Sequence, residues 1–286
     1  MAFDLGERFE PQQDNPDLGD HELGSMTPED ITGLLTRGFV VVDVSDSATE
    51  LVREAEIREW MLATEDPLGG VVPHGRSDDT GIAEQGVAFF GSEAEGQVLH
   101  ADASYMSDSE VPGVVLIGCV NTADNGGKTT LADARQVIEE LFRLVSPEEH
   151  AGLITGLTTP AYFVKRPDDD RQLVLPILSI SDDDSDQGYF GYRYGDHQYH
   201  IVEVLDHART AVSALETVLW SERLARTLHQ LTEGQVLILN NLSMLHGRQA
   251  FAGGERKLLR LWRGGDGLPL LPRSDYMMKG DQDNVN

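Results

Sequence analysis

The segment GQVLILNNLSMLHGRQAFAGGERKLLRLWR, residues 234–263, decides the fold of this chain. It contains two apolar runs that follow glycines and have the length of single strands. In the second run, alternate side chains point to opposite faces, so Leu258, Arg260 and Trp262 share one face. The other face carries leucines, and both faces are therefore apolar. The segment predicts two buried strands.

Arg260 stands out in this segment because a buried guanidinium is costly unless it is paired. The acidic residue nearest in the segment is Glu255. Two interpretations are open from the residues alone. Arg260 forms a structural salt bridge with a distant Asp or Glu, or it makes a bidentate contact with the carboxylate of a bound ligand.

The rest of the chain predicts many short strands and a few helices. A helix is expected from Thr27-Pro28, a capping residue followed by proline, to about Gly38. Other helices are expected near 47–63, 132–143, 147–155 and 206–229. Strands are expected at 39–42, 87–91, 97–102, 113–121, 158–165, 172–180, 188–195, 199–204, 234–241 and 256–263. This pattern is typical of a mainly β domain, a sandwich or barrel, with flanking α-helices.

Composition limits the classes of function. The 286 residues include 22 Lys and Arg against 49 Asp and Glu, which gives a formal charge of −27. Such a charge repels phosphates and argues against a general nucleic-acid or anionic-membrane surface. The N-terminus lacks a signal-peptide pattern, and no apolar stretch is long enough to span a bilayer, so we expect a cytoplasmic protein. The sequence predicts no particular oligomeric state.

Domain organisation and cysteine content are simple. We expect a single domain over 1–286, with a flexible arm at 1–24 and a C-terminal tail at 264–286. The single cysteine, Cys119, lies in an apolar run and is predicted to be a buried structural thiol. One cysteine excludes both an intrachain disulfide framework and a cysteine-based zinc site.

His100 and Asp102 form the first candidate site. They lie at positions i and i+2 where the segment QVLH runs into a loop, and on a strand such residues point to the same side. One imidazole and one carboxylate supply two of the three ligands of a 2-His-1-carboxylate metal site. His-x-Asp also occurs by chance, so a third ligand is needed. His246, beside Gly247 and just past a core strand, is the candidate.

Taken together, these motifs resemble the non-haem Fe(II)- and 2-oxoglutarate-dependent dioxygenases, in the branch of taurine dioxygenase, clavaminate synthase and carbapenem synthase. The resemblance covers about residues 85–263 and implies a double-stranded β-helix, or jelly-roll, core. It rests on His100-x-Asp102, on the distant His246, on Arg260 fourteen residues later, on Gly126-Gly127-Lys128-Thr129, and on the Asn-Asn-x-x-x-x-His-Gly-Arg-x-Ala-Phe stretch at 240–251.

Carried over residue by residue, the resemblance implies that His100, Asp102 and His246 bind Fe(II). It implies that Arg260 holds the distal carboxylate of 2-oxoglutarate with help from Thr129, and that O2 is the second cosubstrate. Halogenating relatives have a small residue in place of the carboxylate ligand, so Asp102 favours hydroxylation over halogenation. Desaturation, ring closure and epimerisation stay open with the same ligands. No catalytic side chain beyond the iron ligands is implied.

Four residues are candidates for contact with the substrate: Arg248, Arg256, Tyr105 and Arg193. Arg248 lies two residues from a metal ligand, and relatives place an anion-binding arginine near the position of Arg256. Two additional basic groups favour an anionic or zwitterionic small molecule, such as an amino-acid-like compound or a natural product. A surface ion pair or a core role is the alternative for each of these side chains.

Two other classes of function are open. A metal-dependent isomerase or hydrolase on a similar β-barrel would need the metal ligands but neither Arg260 nor Thr129. A non-catalytic barrel that only binds a ligand would not need a complete set of metal ligands. Formation of succinate from 2-oxoglutarate separates the oxygenase from both.

Overall fold

The computed structural model of the protein describes most of the chain: residues 26–64, 68–73, 77–85, 96–103, 106, 111–165, 172–180, 187–190, 201–224, 226–265 and 271–272. The helices are α1 (Pro28–Arg37), α2 (Glu50–Ala63), α3 (Ala134–Leu144), α4 (His150–Thr158) and α5 (Arg209–Trp220). The strands are β1 (Phe39–Asp43), β2 (Ala83–Gln85), β3 (Gln97–His100), β4 (Val114–Asn121), β5 (Asn125–Gly126), β6 (Thr129–Asp133), β7 (Tyr162–Lys165), β8 (Gln172–Leu175), β9 (Leu178–Ile180), β10 (Gln187–Phe190), β11 (Ile201–Val204), β12 (Thr227–His229), β13 (Gln235–Asn240), β14 (Met244–Arg248), β15 (Phe251–Ala252), β16 (Lys257–Arg263) and β17 (Leu271–Pro272).

Two antiparallel sheets lie at the centre of the described structure. The first has the strand order β1-β13-β4-β16-β2 and the second the order β12-β6-β14-β3. One hydrophobic cluster joins them, because it contains Leu237 and Trp262 of the first sheet together with Leu131 and Met244 of the second. Two antiparallel sheets packed face to face form a jelly-roll core. The predicted mainly β fold with flanking helices is confirmed.

Helices cover the outer faces of both sheets. On the first sheet, α1 and α2 close a cluster that includes Ile57 and Leu261. On the second sheet, α3, α4 and α5 close a cluster that includes Leu215 and Leu245. The inner faces of the two sheets pack against each other and are shielded from water. Polar side chains on these faces therefore need hydrogen-bonding partners.

Three smaller sheets complete the described part of the chain, with the strand orders β11-β7-β8, β17-β10-β9 and β15-β5. The last of these is a short pair in which Phe251 lies opposite Gly126. It brings an aromatic ring beside the turn that leads into β6. Among the described residues, no helix combines the length and the apolar character that a bilayer crossing requires.

The predicted boundaries of α1 are confirmed. The Thr27 hydroxyl accepts a hydrogen bond from the backbone N–H of Asp30, and the Asp30 carboxylate accepts one from the backbone N–H of Thr27. This reciprocal pair is a capping box. Gly38 ends the helix with a φ of 81°, in the left-handed region that favours glycine.

Three predictions about elements are wrong. The helix predicted over 206–229 ends at Trp220, because Ser221 is extended and the chain then adds β12 to the edge of the second sheet. The strand predicted over 97–102 ends at His100, because the chain turns at the next residues and Ala103 has a φ of 56°. His246 does not follow a core strand but lies inside β14, a strand that the sequence patterns do not predict.

The remaining predictions are confirmed, partly wrong, or lie outside the described residues. Cys119 is buried as predicted, and burial raises the pKa of its thiol to about 12. The first four residues of the strand predicted over 158–165 lie outside β7, in the last residue of α4 and the connection after it. The arm at 1–24, the strand at 87–91, residues 191–195 and most of the tail at 264–286 lie outside the described residues.

Gly234 allows two loops to approach each other at the start of β13. It has a φ of 89°, and a Cβ at this position would lie 1.8 Å from the backbone oxygen of Ser45. Gly234→Ala is therefore expected to lower the free energy of unfolding by about 2–4 kcal/mol, measured by urea denaturation. Gly152→Ala is the matched control, because nothing lies within 4 Å of the new Cβ in α4. The control variant should be as stable as the parent or slightly more stable, and equal losses in both variants would contradict this account.

Candidate metal centre and anion pocket

Three potential metal ligands come together on the inner face of the second sheet. β14 pairs with β3 so that His246 lies directly opposite His100, and the two imidazole centroids are 4.5 Å apart. The Oδ1 atom of Asp102 lies 3.6 Å from His100 Nε2 and 3.4 Å from His246 Nε2. One ligand atom from each residue lies within 4.8 Å of the others, so the group is a candidate metal site.

The electrostatics of the group suit a cation. Burial lowers the pKa of His246 to about 4, and the neighbouring His100 adds to this effect, so the His246 imidazole is neutral at neutral pH. Burial by itself raises the pKa of Asp102, but Arg260 and His246 outweigh it and hold that pKa well below its ordinary range. Neither ring nitrogen of His246 makes a hydrogen bond to a described residue, although both are buried. Two imidazole nitrogens and a carboxylate oxygen are donors that fit a divalent iron ion.

Hydrogen bonds orient two of the three potential metal ligands, His100 and Asp102. His100 Nδ1 lies 2.9 Å from the carbonyl oxygen of Val98, which leaves Nε2 on the side of Asp102. Such contacts fix the ring of a metal-binding histidine. The turn after β3 then carries Asp102 into position, with Ala103 in the left-handed region at a φ of 56°.

Asn241 holds the backbone of Asp102. The Asp102 N–H donates to Asn241 Oδ1 at 2.9 Å, and Asn241 Nδ2 donates to the Asp102 carbonyl oxygen at 3.1 Å. Asn241 Nδ2 also donates to the carbonyl oxygen of Pro112 at 2.9 Å, and the asparagine is buried. The sequence motifs assign Asn241 no role, although a polar residue close after a core strand is a signal for one.

The carboxylate of Asp102 has two further partners on β16. Arg260 Nη1 donates to Oδ1 at 2.8 Å, and Trp262 Nε1 donates to Oδ2 at 2.8 Å. Of the two interpretations of Arg260, the structure shows an ion pair with a distant acidic residue, and that residue is a predicted metal ligand. Trp262 was not predicted as part of the site.

A second cluster of inner side chains carries positive charge. On β14, two residues beyond His246, Arg248 lies opposite Thr129 of β6, and both are buried. The guanidinium carbons of Arg248 and Arg256 lie 4.5 and 5.4 Å from the centroid of the Phe251 ring. A Cβ built on Gly127 would lie 3.5 Å from Arg256 Nε, an ordinary contact distance, so the Arg256 side chain lies against this turn. We call Thr129, Arg248 and Arg256 the anion pocket.

The anion pocket has a high local density of positive charge, because two guanidinium groups share one aromatic ring. Burial lowers the pKa of Arg256 to about 10, and repulsion from Arg248 adds to the shift. Burial also lowers the pKa of Arg248. Among the described residues, no carboxylate forms an ion pair with Arg256. Both guanidinium groups stay charged at neutral pH, so the pocket attracts an anion.

The residues predicted from the sequence divide between these two clusters. The three predicted iron ligands and Arg260 form the first, and Thr129, Arg248 and Arg256 form the second. Tyr105 and Arg193 lie outside the described residues, and their roles stay predictions.

Comparison with known families identifies the protein class. The profile of the taurine catabolism dioxygenase TauD, TfdA family matches residues 3–262. The chain belongs to this family. As a TauD/TfdA-family enzyme it is a non-haem Fe(II)- and 2-oxoglutarate-dependent oxygenase, and the predicted cofactor set of Fe(II), 2-oxoglutarate and O2 is confirmed.

Solved structures share the fold of this TauD/TfdA-family chain. An asparagine oxygenase in complex with Fe(II), hydroxyasparagine and succinate is 16% identical, with a TM-score of 0.59 over 83% of this chain and 78% of that one. The non-haem iron oxygenase OrfP, with Fe, succinate and dihydroxy-L-Arg, is 17% identical, with a TM-score of 0.58 over 83% and 79%. PvcB, an Fe, alpha-ketoglutarate dependent oxygenase from an isonitrile synthetic pathway, is 17% identical, with a TM-score of 0.55 over 87% and 84%. No curated protein sequence matches significantly.

The role of Asn241 is open to a direct test. Asn241→Ala removes three hydrogen bonds that fix the turn carrying Asp102, so Fe(II) affinity should fall roughly 10- to 100-fold in anaerobic titrations. Asn125→Ala, an exposed asparagine in β5, is the matched control and should bind iron as the parent does. Equal affinity in the two variants would show that the turn holds Asp102 without Asn241.

Proposed function

We propose that this oxygenase binds its iron through His100, Asp102 and His246 and hydroxylates a small, polar, amino-acid-like molecule. The observation that carries the proposal is the buried His-Asp-His group, whose donors match the 2-His-1-carboxylate ligand set. Family membership favours this function over the isomerase, hydrolase and ligand-binding alternatives. The anion pocket beside the metal ligands is a feature that those alternatives do not need.

In this proposal the protein positions reactants and the bound iron supplies the oxidising chemistry: coupled to decarboxylation of 2-oxoglutarate, it activates O2 to break an unactivated C–H bond. The side chains of the site bind and orient. His100, Asp102 and His246 would hold the iron, which would bind 2-oxoglutarate and O2. The sheets and their helical cover keep water from the site, because the surrounding inner-face residues are buried.

For the distal carboxylate of 2-oxoglutarate we propose Arg256 and Thr129 as the main ligands, with Arg248 adding positive charge. The family resemblance implies Arg260 for this role. Arg260, however, donates to a metal ligand at 2.8 Å, whereas Arg256 lies beside the Gly127 turn that leads to Thr129. The distal carboxylate would supply the counter-charge that Arg256 does not receive from any described carboxylate.

Arg260 is then a candidate for the substrate. Its guanidinium lies against Asp102, next to the position of the metal, where it would bind a substrate carboxylate close to the reacting carbon. This supports an anionic or zwitterionic substrate. Two structures with the same fold hold hydroxyasparagine and an arginine derivative, which are zwitterionic molecules of that kind.

Loss of one iron ligand tests the metal assignment. His246→Ala should abolish iron retention and remove the visible absorption band that anaerobic Fe(II) and 2-oxoglutarate produce together in the parent. Succinate formation with screened amino-acid-like substrates should stop as well. His207→Ala, an exposed histidine before α5, is the control and should behave as the parent. Parental turnover in His246→Ala would refute the ligand assignment.

Two single substitutions distinguish the role of Arg260, in β16, from that of Arg256, which directly precedes the strand. Arg256→Ala should raise the 2-oxoglutarate dissociation constant roughly 10- to 100-fold while iron stays bound, because a charged hydrogen-bonding partner is lost. Arg260→Ala should affect mainly the KM of the substrate. The reverse result, a large effect on 2-oxoglutarate binding only in Arg260→Ala, would assign the role to Arg260, as the family resemblance implies.

A further inference from the structure

A row of three residues crosses the second sheet at the level of the anion pocket. His229 of β12 lies opposite Thr129 of β6, which in turn lies opposite Arg248 of β14. Residues directly opposite each other in an antiparallel pair place their side chains on one face of the sheet. Leu131, two residues after Thr129, belongs to the cluster between the sheets, so this face is the inner one.

The imidazole of His229 lies between the sheets with one nitrogen unused. Nε2 is buried and makes no hydrogen bond to any described residue. Gln235, on the facing strand β13, interacts with the same ring, which places the ring between the two sheets. Burial lowers the pKa of His229, and the hydrogen bond to Gln235 opposes that shift. Buried polar atoms in folded proteins are nearly always hydrogen-bonded, so an unused nitrogen beside a cationic pocket indicates a ligand.

We propose that His229 is a further binding residue for the 2-oxo acid cosubstrate and donates a hydrogen bond from Nε2 to its distal carboxylate. The carboxylate would lie between Thr129 and the two arginines, with His229 on the far side of Thr129 from Arg248. The His229 ring then limits how far the acid extends, and it favours a five-carbon over a six-carbon 2-oxo diacid. This inference rests on the proposed function, because it concerns the same cosubstrate site.

Equilibrium binding to the Fe(II)-loaded protein tests the inference without turnover. 2-Oxoglutarate is titrated anaerobically in the absence of substrate, and its dissociation constant should rise roughly 10- to 100-fold in His229→Leu, since a hydrogen bond to a charged group is lost. His229→Gln keeps an N–H near the position of Nε2 and should recover most of the affinity. In His229→Leu, the preference for 2-oxoglutarate over 2-oxoadipate should narrow, while Fe(II) affinity stays as in the parent.

Leu228→Ala is the matched control, because Leu228 is 49% exposed and points to the opposite face of β12. It should bind 2-oxoglutarate as the parent does. If His229→Leu does not fold, His229→Gln and His229→Asn are compared instead. The shorter Asn side chain does not reach the carboxylate, so His229→Asn should bind 2-oxoglutarate as weakly as is expected for His229→Leu.

Three results are distinguishable. Parental 2-oxoglutarate affinity in His229→Leu, or in the Asn variant, overturns the inference. An effect confined to the KM of the substrate also overturns it, because His229 would then serve a different carboxylate. A parent protein that neither binds 2-oxoglutarate nor forms succinate overturns the proposed function itself.

Discussion

The pairing of β14 with its two neighbours is the constraint on which the site depends. β14 lies between β6 and β3, and this register places His246 opposite His100 and Arg248 opposite Thr129. Slipping the strand by one residue would turn both side chains to the outer face. Gly247 stands between them, and a Cβ there would lie 2.7 Å from the backbone oxygen of Gln97. The close approach of β3 therefore requires glycine at that position. The pairing of His246 with His100 depends on this close approach.

The sequence predicted which three side chains come together better than it predicted how they are held. The i, i+2 spacing of His100 and Asp102 identifies a pair that faces one point, but Asp102 lies in a turn and not on the strand. Its position depends on Asn241, which is 139 residues away in the chain, and no local pattern contains that contact. The same holds for Arg260, whose partner Asp102 is 158 residues away. His229 could not be identified from the sequence for a different reason. It lies in a short edge strand whose sequence continues a helical pattern, and only its pairing with Thr129 shows which face of the sheet its side chain occupies.

Two kinds of buried arginine explain how a very acidic chain keeps a cationic interior. Arg263 is 1% exposed and donates to the backbone oxygens of Gly69, Met61 and Leu62, so it closes the end of α2. Arg53 likewise donates to backbone oxygens and to the side chain of Asn121. These guanidinium groups are satisfied by the fold and serve structure. Arg256 has an aromatic ring and a second arginine for neighbours instead, which is the environment of a group that binds a ligand.

Trp262 is an aromatic chromophore in direct contact with the candidate metal site. Its indole N–H donates to the Asp102 carboxylate at 2.8 Å, so a change of charge or geometry at that carboxylate acts directly on the ring. The chain has three tryptophans; Trp60 lies in the cluster on the other side of the first sheet, and Trp220 is 64% exposed. Because Trp220 is exposed and the other two are buried, we expect its emission to lie to the red of theirs. The protein thus contains its own optical reporter, and the occupancy of its centre can be followed by intrinsic fluorescence without any attached label.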